Sequence, residues 1–188
     1  MPIPIAEAIP SMTDRIETVM QDELADELAD HASEEYPLPA PEDHAWVVGD
    51  EDVEDAFKHL GSPPIYGSIV YRPSEFMGRA SGDGARESYN QTTQTAVGIV
   101  LKRPGGFALP ERNGHRLTMR QWMHHRGEKY RGAILNVVTE YVPDGEIISQ
   151  VDLMSAAVSP PIDQKTIVYR EAVVVVEVTQ HVEVNIPH

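Results

Sequence analysis

The chain has 188 residues, of which 41% are hydrophobic and none is cysteine. It carries 15 Lys and Arg against 30 Asp and Glu, a formal net charge of −15. These numbers allow one domain with a real core, and they exclude disulfides, thiolate metal sites, cysteine nucleophiles and a generally basic nucleic-acid-binding surface.

The net charge lies entirely in the first third of the chain. Residues 1–60 hold 17 acidic and 2 basic side chains, whereas residues 61–188 hold 13 of each. This split predicts an acidic N-terminal helix and Pro-rich linker over residues 1–45, followed by an α/β body over residues 46–188. The N-terminus lacks the cationic start and long apolar run of a signal peptide, so we expect a soluble protein made in the cytoplasm.

The N-terminal segment alternates Pro and Ile over residues 2–10, which predicts extended chain until the prolines end. Ser11 or Thr13 can then cap a helix of roughly residues 13–34. Its apolar side chains recur at three- and four-residue spacings, so we expect it to dock on the body. The stripe consists of Ile16, Val19, Met20, Leu24 and Leu28.

The next elements are separated by proline and glycine. Residues 36–42 contain three prolines and predict a stiff linker in polyproline II geometry. A short helix over Asp50–Leu60 ends at Gly61. β-rich runs at residues 65–72 and 92–103 predict two strands, the second of them buried.

Between these strands lies a polar segment with three glycines. We predict an exposed loop over residues 78–90 at the end of a protruding hairpin, residues 78–91, that contacts a neighbouring subunit. A phosphate-binding turn is disfavoured because a Thr- and Gln-rich strand, and no helix, follows the glycines. The candidate interface residues are Gly78, Arg79, Gly82, Asp83, Gly84 and Arg86.

A local basic face follows, with eight basic and two acidic side chains between Lys102 and Arg131. Its simplest partner is the acidic N-terminal third, either of this chain or of a neighbouring copy. An ordinary solvated helix face and a contact with nucleic acid are the alternatives. Arg120, Arg126 and Arg131 are therefore also candidate interface residues.

The strongest helical pattern begins at Asn113 or Thr118 and ends at Pro143. Gly127 and Gly132 weaken it locally and indicate close packing. Its apolar stripe comprises Trp122, Met123, Tyr130, Ile134, Val137, Val138 and Tyr141.

Two further strands are predicted at residues 146–157 and 166–186. In the last one, even-numbered residues from 174 to 186 are nearly all apolar, and odd-numbered residues from 177 to 185 are polar. This alternation predicts one buried and one wet face, and we assign Glu177 and His181 on the wet face as candidate interface residues. Together the elements predict an α+β fold, with a mainly antiparallel sheet packed by two or three helices, a long β-hairpin and a long C-terminal strand.

Catalytic motifs are missing from the sequence. The eight histidines include no His-x-x-x-His pair, and the serines lack a Gly-x-Ser-x-Gly elbow. Acidic pairs are plentiful only where helical spacing predicts solvated charge. We therefore predict no catalytic residue, no metal site and no cofactor.

The order of these elements resembles the small α/β subunits at the neck of tailed bacteriophages, above all the tail-terminator, or tail-completion, proteins. The resemblance covers residues 11–188. Its carriers are the amphipathic helix over residues 16–28, the Thr95-Ala-Val-Gly-Ile-Val-Leu strand, the helix over residues 122–141 and the long strand that begins at Tyr169. The Pro-rich segment at 35–45 and the acidic extension depart from the family.

The resemblance implies a structural virion protein, assembled in the host cytoplasm, that forms a hexameric ring without catalysis or cofactor. Such a ring caps the tail tube and joins it to the head connector or stopper protein, and DNA passes through without specific binding. Asp22, Glu23, Asp26 and Glu27 are candidate lumen charges that would repel that DNA. The alternatives are a head-completion or stopper subunit, and a cytoplasmic α/β enzyme or ligand-binding domain; molecular mass in solution separates a ring from the latter.

Overall fold

A computed structural model describes residues 2–49, 64–72, 75–82, 86–103, 109–112, 114–164 and 167–185. The predicted helix over Asp50–Leu60 lies outside these residues, as do Asp83 and Gly84. The helices are α1 (Ile5–His31) and α2 (Met119–Glu140), with a 3-10 turn at Asp43–Ala45. The strands are β1 (Ile3–Pro4), β2 (Trp46–Gly49), β3 (Ile65–Tyr71), β4 (Glu75–Gly82), β5 (Arg86–Lys102), β6 (Glu111–Arg112), β7 (His115–Arg116), β8 (Gln150–Val158), β9 (Ile162–Gln164) and β10 (Ile167–Asn185).

Two helices pack on one mixed sheet, so the predicted α+β class is confirmed. The main path of the sheet runs β1-β10-β5-β3-β2. On one side of this path β8 and β9 also pair with β10, and on the other β4 also pairs with β5. The β1–β10 and β2–β3 pairings are parallel, and the remaining pairings in this sheet are antiparallel.

The centre of the sheet is a long antiparallel ribbon of β5 and β10. Its register runs from Tyr169 opposite Lys102 to Asn185 opposite Arg86. The alternation predicted for the last strand is confirmed as far as Val182, because Val174, Val176, Val178, Gln180 and Val182 are all buried while the intervening residues are partly exposed. Val184 is partly exposed, and Ile186 lies outside the described residues. This buried face of the ribbon packs against the helices, and we call it the core face.

α1 begins eight residues earlier than predicted, at Ile5, and contains Pro10. An interior proline costs about 3 kcal/mol because it removes one helical hydrogen bond and crowds the preceding turn. Tertiary contacts hold this turn in place: Ile3 pairs with Val182, and Gln180 donates its side-chain amide to the Ala8 carbonyl at 2.8 Å. Thr13 does not cap the helix, since its hydroxyl donates back to the carbonyls of the preceding turn.

α1 docks on α2 and the sheet, as its apolar stripe predicts. Ile16, Leu24 and Leu28 are fully buried in the same core as the valines of β10. α1 ends at His31, three residues before the predicted end, because Ala32 is extended.

α2 confirms the strongest helical prediction. Thr118 is the N-cap and forms a capping box with Gln121. Six of the seven stripe residues are buried, but Tyr141 is 41% exposed because it follows the last helical residue as the C-cap. Neither helix of the described residues is long and apolar enough to cross a membrane.

The predicted loop over residues 78–90 is wrong for the residues that the structure describes. Gly78, Arg79 and Gly82 belong to β4, and Arg86 begins β5. Residues 86–91 pair with β10 on one side, and 87–91 also pair with β4 on the other. Backbone hydrogen bonds to both neighbours therefore stabilise this strand, although its sequence does not alternate apolar and polar residues.

Candidate assembly surfaces

The Pro-rich segment lies along α2 as a strap, which we define as residues 32–41. Three side chains of α2, four residues apart, donate to three carbonyls of the strap, two residues apart. Trp122 Nε1 donates to Glu35 O at 2.9 Å, Arg126 Nε to Pro37 O at 3.0 Å, and Tyr130 Oη to Pro39 O at 2.6 Å. Four helical residues rise about 6.0 Å and two polyproline II residues about 6.2 Å, so the two spacings match.

Aromatic packing reinforces the strap. The ring of Tyr36 stacks on Trp122 with centroids 6.3 Å apart, and its hydroxyl lies 3.0 Å from His125 Nδ1. Lys129 Nζ donates to the carbonyl oxygen of His31, the last residue of α1, at 2.6 Å. The helix dipole favours a cation at this end of α1. The linker is therefore held in place by the body.

Arg126 consequently does not belong to a free interface. Its side chain is buried, with the guanidinium 5.3 Å from the Trp122 ring centroid and 5.5 Å from that of Tyr130. Part of the predicted basic face thus pairs with the N-terminal third of its own chain. It does so through backbone carbonyls of the strap, not through acidic side chains.

The other basic interface candidates differ from Arg126. Arg120 is exposed, near the N-terminus of α2. Arg131 is half-buried and forms an ion pair with Glu128 at 2.6 Å. Only Arg120 of the three presents a guanidinium to solvent without an ion pair within the described residues.

The two predicted strand residues lie on the face of the sheet opposite the helices, which we call the outer face. Glu177 is partly exposed and stands opposite Gln94 and Asp152. His181 lies 3.3 Å from Asn90, between its Nδ1 and the amide oxygen. The structure does not bring these two residues together with Arg120.

The candidate lumen charges divide into two pairs. Asp22 and Asp26 are exposed and have no ion pair or hydrogen bond within the described residues. Glu23 and Glu27 are partly buried, and Glu27 accepts a 2.6 Å hydrogen bond from Asn136 and lies 3.3 Å from His31. Of the four candidates, only Asp22 and Asp26 are exposed, and we call this pair the free acidic face of α1.

The sheet edge at β8 was not identified from the sequence as an interface. β8 pairs only with β10 among the described strands, and it carries Leu153 and Met154, which are 48% and 55% exposed. A bulge at this point breaks the alternation, so the two large apolar side chains adjoin an unpaired edge. The sequence signal was the adjacent pair Leu153 and Met154, which breaks the alternation of apolar and polar residues.

On the outer face, an open cleft of about 340 Å³ crosses four strands. Val70, Ala96 and Val175 form its apolar part, and Arg72, Gln94 and Ser155 supply polar groups. Farther along the same face, burial raises the pKa of Glu171, whose carboxylate fills the space beside Gly98. A Cβ added at Gly98 would lie 3.1 Å from Glu171 Oε1.

Arg170 was also missed by the sequence analysis, although its even number places it on the same face of β10 as the buried Val174 and Val176. Its side chain is only 8% exposed, at the end of the sheet beside the first turns of α2. Burial lowers the pKa of Arg170, and the charge of Arg120 lowers it further.

Metal binding has no support in the described ranges, since no three His, Asp or Glu side chains there are placed to hold an ion. No family model matches the sequence, and no curated protein matches it either. The candidate site therefore rests on the geometry of the surfaces.

Proposed function

We propose that this chain is a structural subunit of the phage neck, a tail terminator that closes into a ring on the tail tube and contacts the head connector. The observation that carries the proposal is the pair of open sheet edges. β8 lies at one side of the ribbon and β2 at the other, and neither has a second partner among the described strands. Two different edges on opposite sides favour head-to-tail contacts, which generate rings when the rotation closes.

Exposed apolar side chains at one edge support this assembly. Leu153 and Met154 are costly to leave in water and would be covered by the next subunit. A long unpaired edge strand also invites pairing with another chain. These features are typical of a subunit whose surface is completed by assembly.

The charge of the chain suits a conduit for DNA. A net charge of −15 repels phosphate, so DNA passing through such a ring would slide without binding. We expect the protein in virions, where its partners would be the tail-tube protein and a connector or stopper protein. A stopper subunit in the same neck would share these properties.

Mass in solution is the first test. A hexamer of 20.9 kDa subunits has a mass of about 125 kDa, measurable by light scattering, and should form rings in negative-stain micrographs. Immunogold labelling at the neck of purified phage particles would then separate a neck protein from another ring-forming protein. A monomer that stays monomeric with neck partners would contradict the proposal.

A proline variant tests the β8 edge directly. Ser159 N donates to Glu171 O of β10. Successive backbone amides of a strand point to opposite sides, so the Ala157 amide also points toward β10 and the Ala156 amide points away from the sheet. Ala156→Pro should therefore keep the fold and block a further strand, reducing assembly. Ala156→Ser, which keeps the amide proton, should assemble normally; equal assembly of both variants would exclude this edge as the contact.

A ligand-binding domain is the second candidate, favoured by the outer-face cleft with Arg72 and Gln94. It predicts a monomer whose thermal stability rises with a small anionic ligand. Arg72→Ala should abolish that rise without changing the fold.

A further inference from the structure

Arg170 is a buried cation whose described partners are neutral. Its Nη1 donates to Ser159 O at 2.9 Å and lies 3.4 Å from His124 Nδ1, and its Nη2 donates to Arg120 O at 3.4 Å. Its Nε is buried without a hydrogen-bond partner. A buried charge is normally paired, so this guanidinium leaves an uncompensated positive field at the surface above it.

Two further cations surround this point. Arg120 is exposed one turn before His124 on α2. Arg103 is exposed just beyond the end of β5, two residues past Leu101, which pairs with Arg170. We call Arg103, Arg120, His124 and Arg170 the basic cluster. The neighbouring carboxylate of Glu128 is already shared between Arg131 at 2.6 Å and His124 at 3.8 Å.

The free acidic face of α1 cannot neutralise this cluster within one chain. Glu27 contacts Asn136, and Arg120 precedes Asn136 by 16 residues, or about 24 Å along α2. That distance exceeds the Debye length of about 8 Å at physiological salt. Asp22 and Asp26 lie on the part of α1 still farther from the cluster, since α1 runs antiparallel to α2.

We propose that the basic cluster binds the acidic face of α1, at Asp22 and Asp26, of a second copy of this chain. The contact rests on the proposed self-assembly and names two of its surfaces. The two surfaces carry opposite charges, and Arg103, Arg120, Asp22 and Asp26 are exposed without an ion pair within the described residues. Nucleic acid is disfavoured as the occupant because the net charge of −15 repels phosphate at long range.

The two surfaces are different and lie at different ends of the helical layer. Their contact is therefore head-to-tail, which permits every copy to use both surfaces at once. Electrostatic pairing of this kind orients subunits and sets their register more than it adds affinity. The β8 edge can supply apolar area while the charge pair selects the orientation.

A charge swap tests the contact. Arg120→Glu and the pair Asp22→Lys with Asp26→Lys should each weaken self-association about tenfold or more, because like charges then face each other. Combining all three substitutions in one chain should restore association toward the unmodified level. The matched control, Glu140→Lys with Glu146→Lys, makes the same change of net charge at exposed acidic residues elsewhere and should leave association unchanged.

The outcomes separate this inference from the proposed function. An unmodified protein that stays monomeric in the presence of neck partners would overturn both. Normal self-association of Arg120→Glu, or no recovery in the combined variant, would overturn the contact alone. Retention of duplex DNA by the unmodified protein at low salt, lost in Arg120→Glu, would replace the second copy with nucleic acid as the occupant.

Discussion

The hydroxyl of Tyr130 donates a 2.6 Å hydrogen bond to the carbonyl oxygen of Pro39, which joins the middle of α2 to a strap 91 residues earlier in the chain. Tyr130 is fully buried, whereas Pro39 is an exposed residue of the strap. The contact is the last of three regularly spaced bonds that hold the strap.

Tyr130→Phe should destabilise the fold by about 0.5–1.5 kcal/mol, because the bond from the hydroxyl to the Pro39 carbonyl is lost. Chemical denaturation measures this difference. Tyr141→Phe is the control: Tyr141 is 41% exposed, and the variant should match the unmodified protein. Equal stability of both variants would show that water replaces the hydroxyl.

Burial also raises the pKa of Tyr130 to about 12, against the opposing charge and hydrogen bond of Arg126. Unfolded tyrosine loses its proton near pH 10, so the folded state loses stability as pH rises above that value. An absorbance titration should show Tyr130 ionising after the exposed tyrosines. Tyr130→Phe should remove that late step.

The two glycines of α2 should respond oppositely to alanine. A Cβ at Gly127 would lie 2.7 Å from Val158 Cγ1, whereas one at Gly132 meets nothing within 4 Å. Gly127→Ala should cost about 1–3 kcal/mol through overpacking, and Gly132→Ala should stabilise by up to about 1 kcal/mol. Thermal melts rank the pair; the reverse order would contradict the packing of α2 on β8.

Neighbouring residues of β10 should differ in the same way. Val178→Asp places a charge at a fully buried position and should cost several kcal/mol or prevent folding. Glu177→Lys, on the outer face opposite Asp152, should leave stability nearly unchanged or raise it slightly. Thermal denaturation that ranks them otherwise would overturn the register of β10.

The ionised carboxylate of Asp144 should stabilise the folded state at neutral pH. Burial alone would raise its pKa, but hydrogen bonds from the amides of residues 146–148 and the charge of Arg15 outweigh it and hold the pKa below 3.8. Its contribution is complete above the unfolded pKa and is lost as pH falls through the lower folded value.

Asp144→Asn should accordingly be less stable than the unmodified protein at pH 7. The difference should shrink as pH falls below about 4. Urea denaturation across pH 2–7 measures both. A difference that is constant with pH would show that the charge of Asp144 is not involved.

Local sequence patterns determined the elements in which apolar residues repeat at the spacing of the helix or strand that they form. The stripe of α2 and the alternation in β10 predicted which side chains are buried, because apolar residues repeat there at the spacing of the element. Thr118 predicted where α2 begins. The charge split between the first third and the rest is likewise a property of the chain alone.

Only the tertiary structure decided the elements that depend on distant partners. Pro10 lies inside α1, where contacts from β10 hold the first turns, and polar residues 86–91 form a strand because β4 and β10 pair with them. Arg126 and Arg170 carry the same charge as Arg120, yet both are buried. Arg126 donates to the Pro37 carbonyl, and Arg170 donates to the Ser159 carbonyl. The spacing of Arg126 from Trp122 and the parity of Arg170 with Val174 place these arginines on buried faces, but the sequence does not show the remote carbonyls that accept their hydrogen bonds. Only the fold brings Pro37 to Arg126 and Ser159 to Arg170.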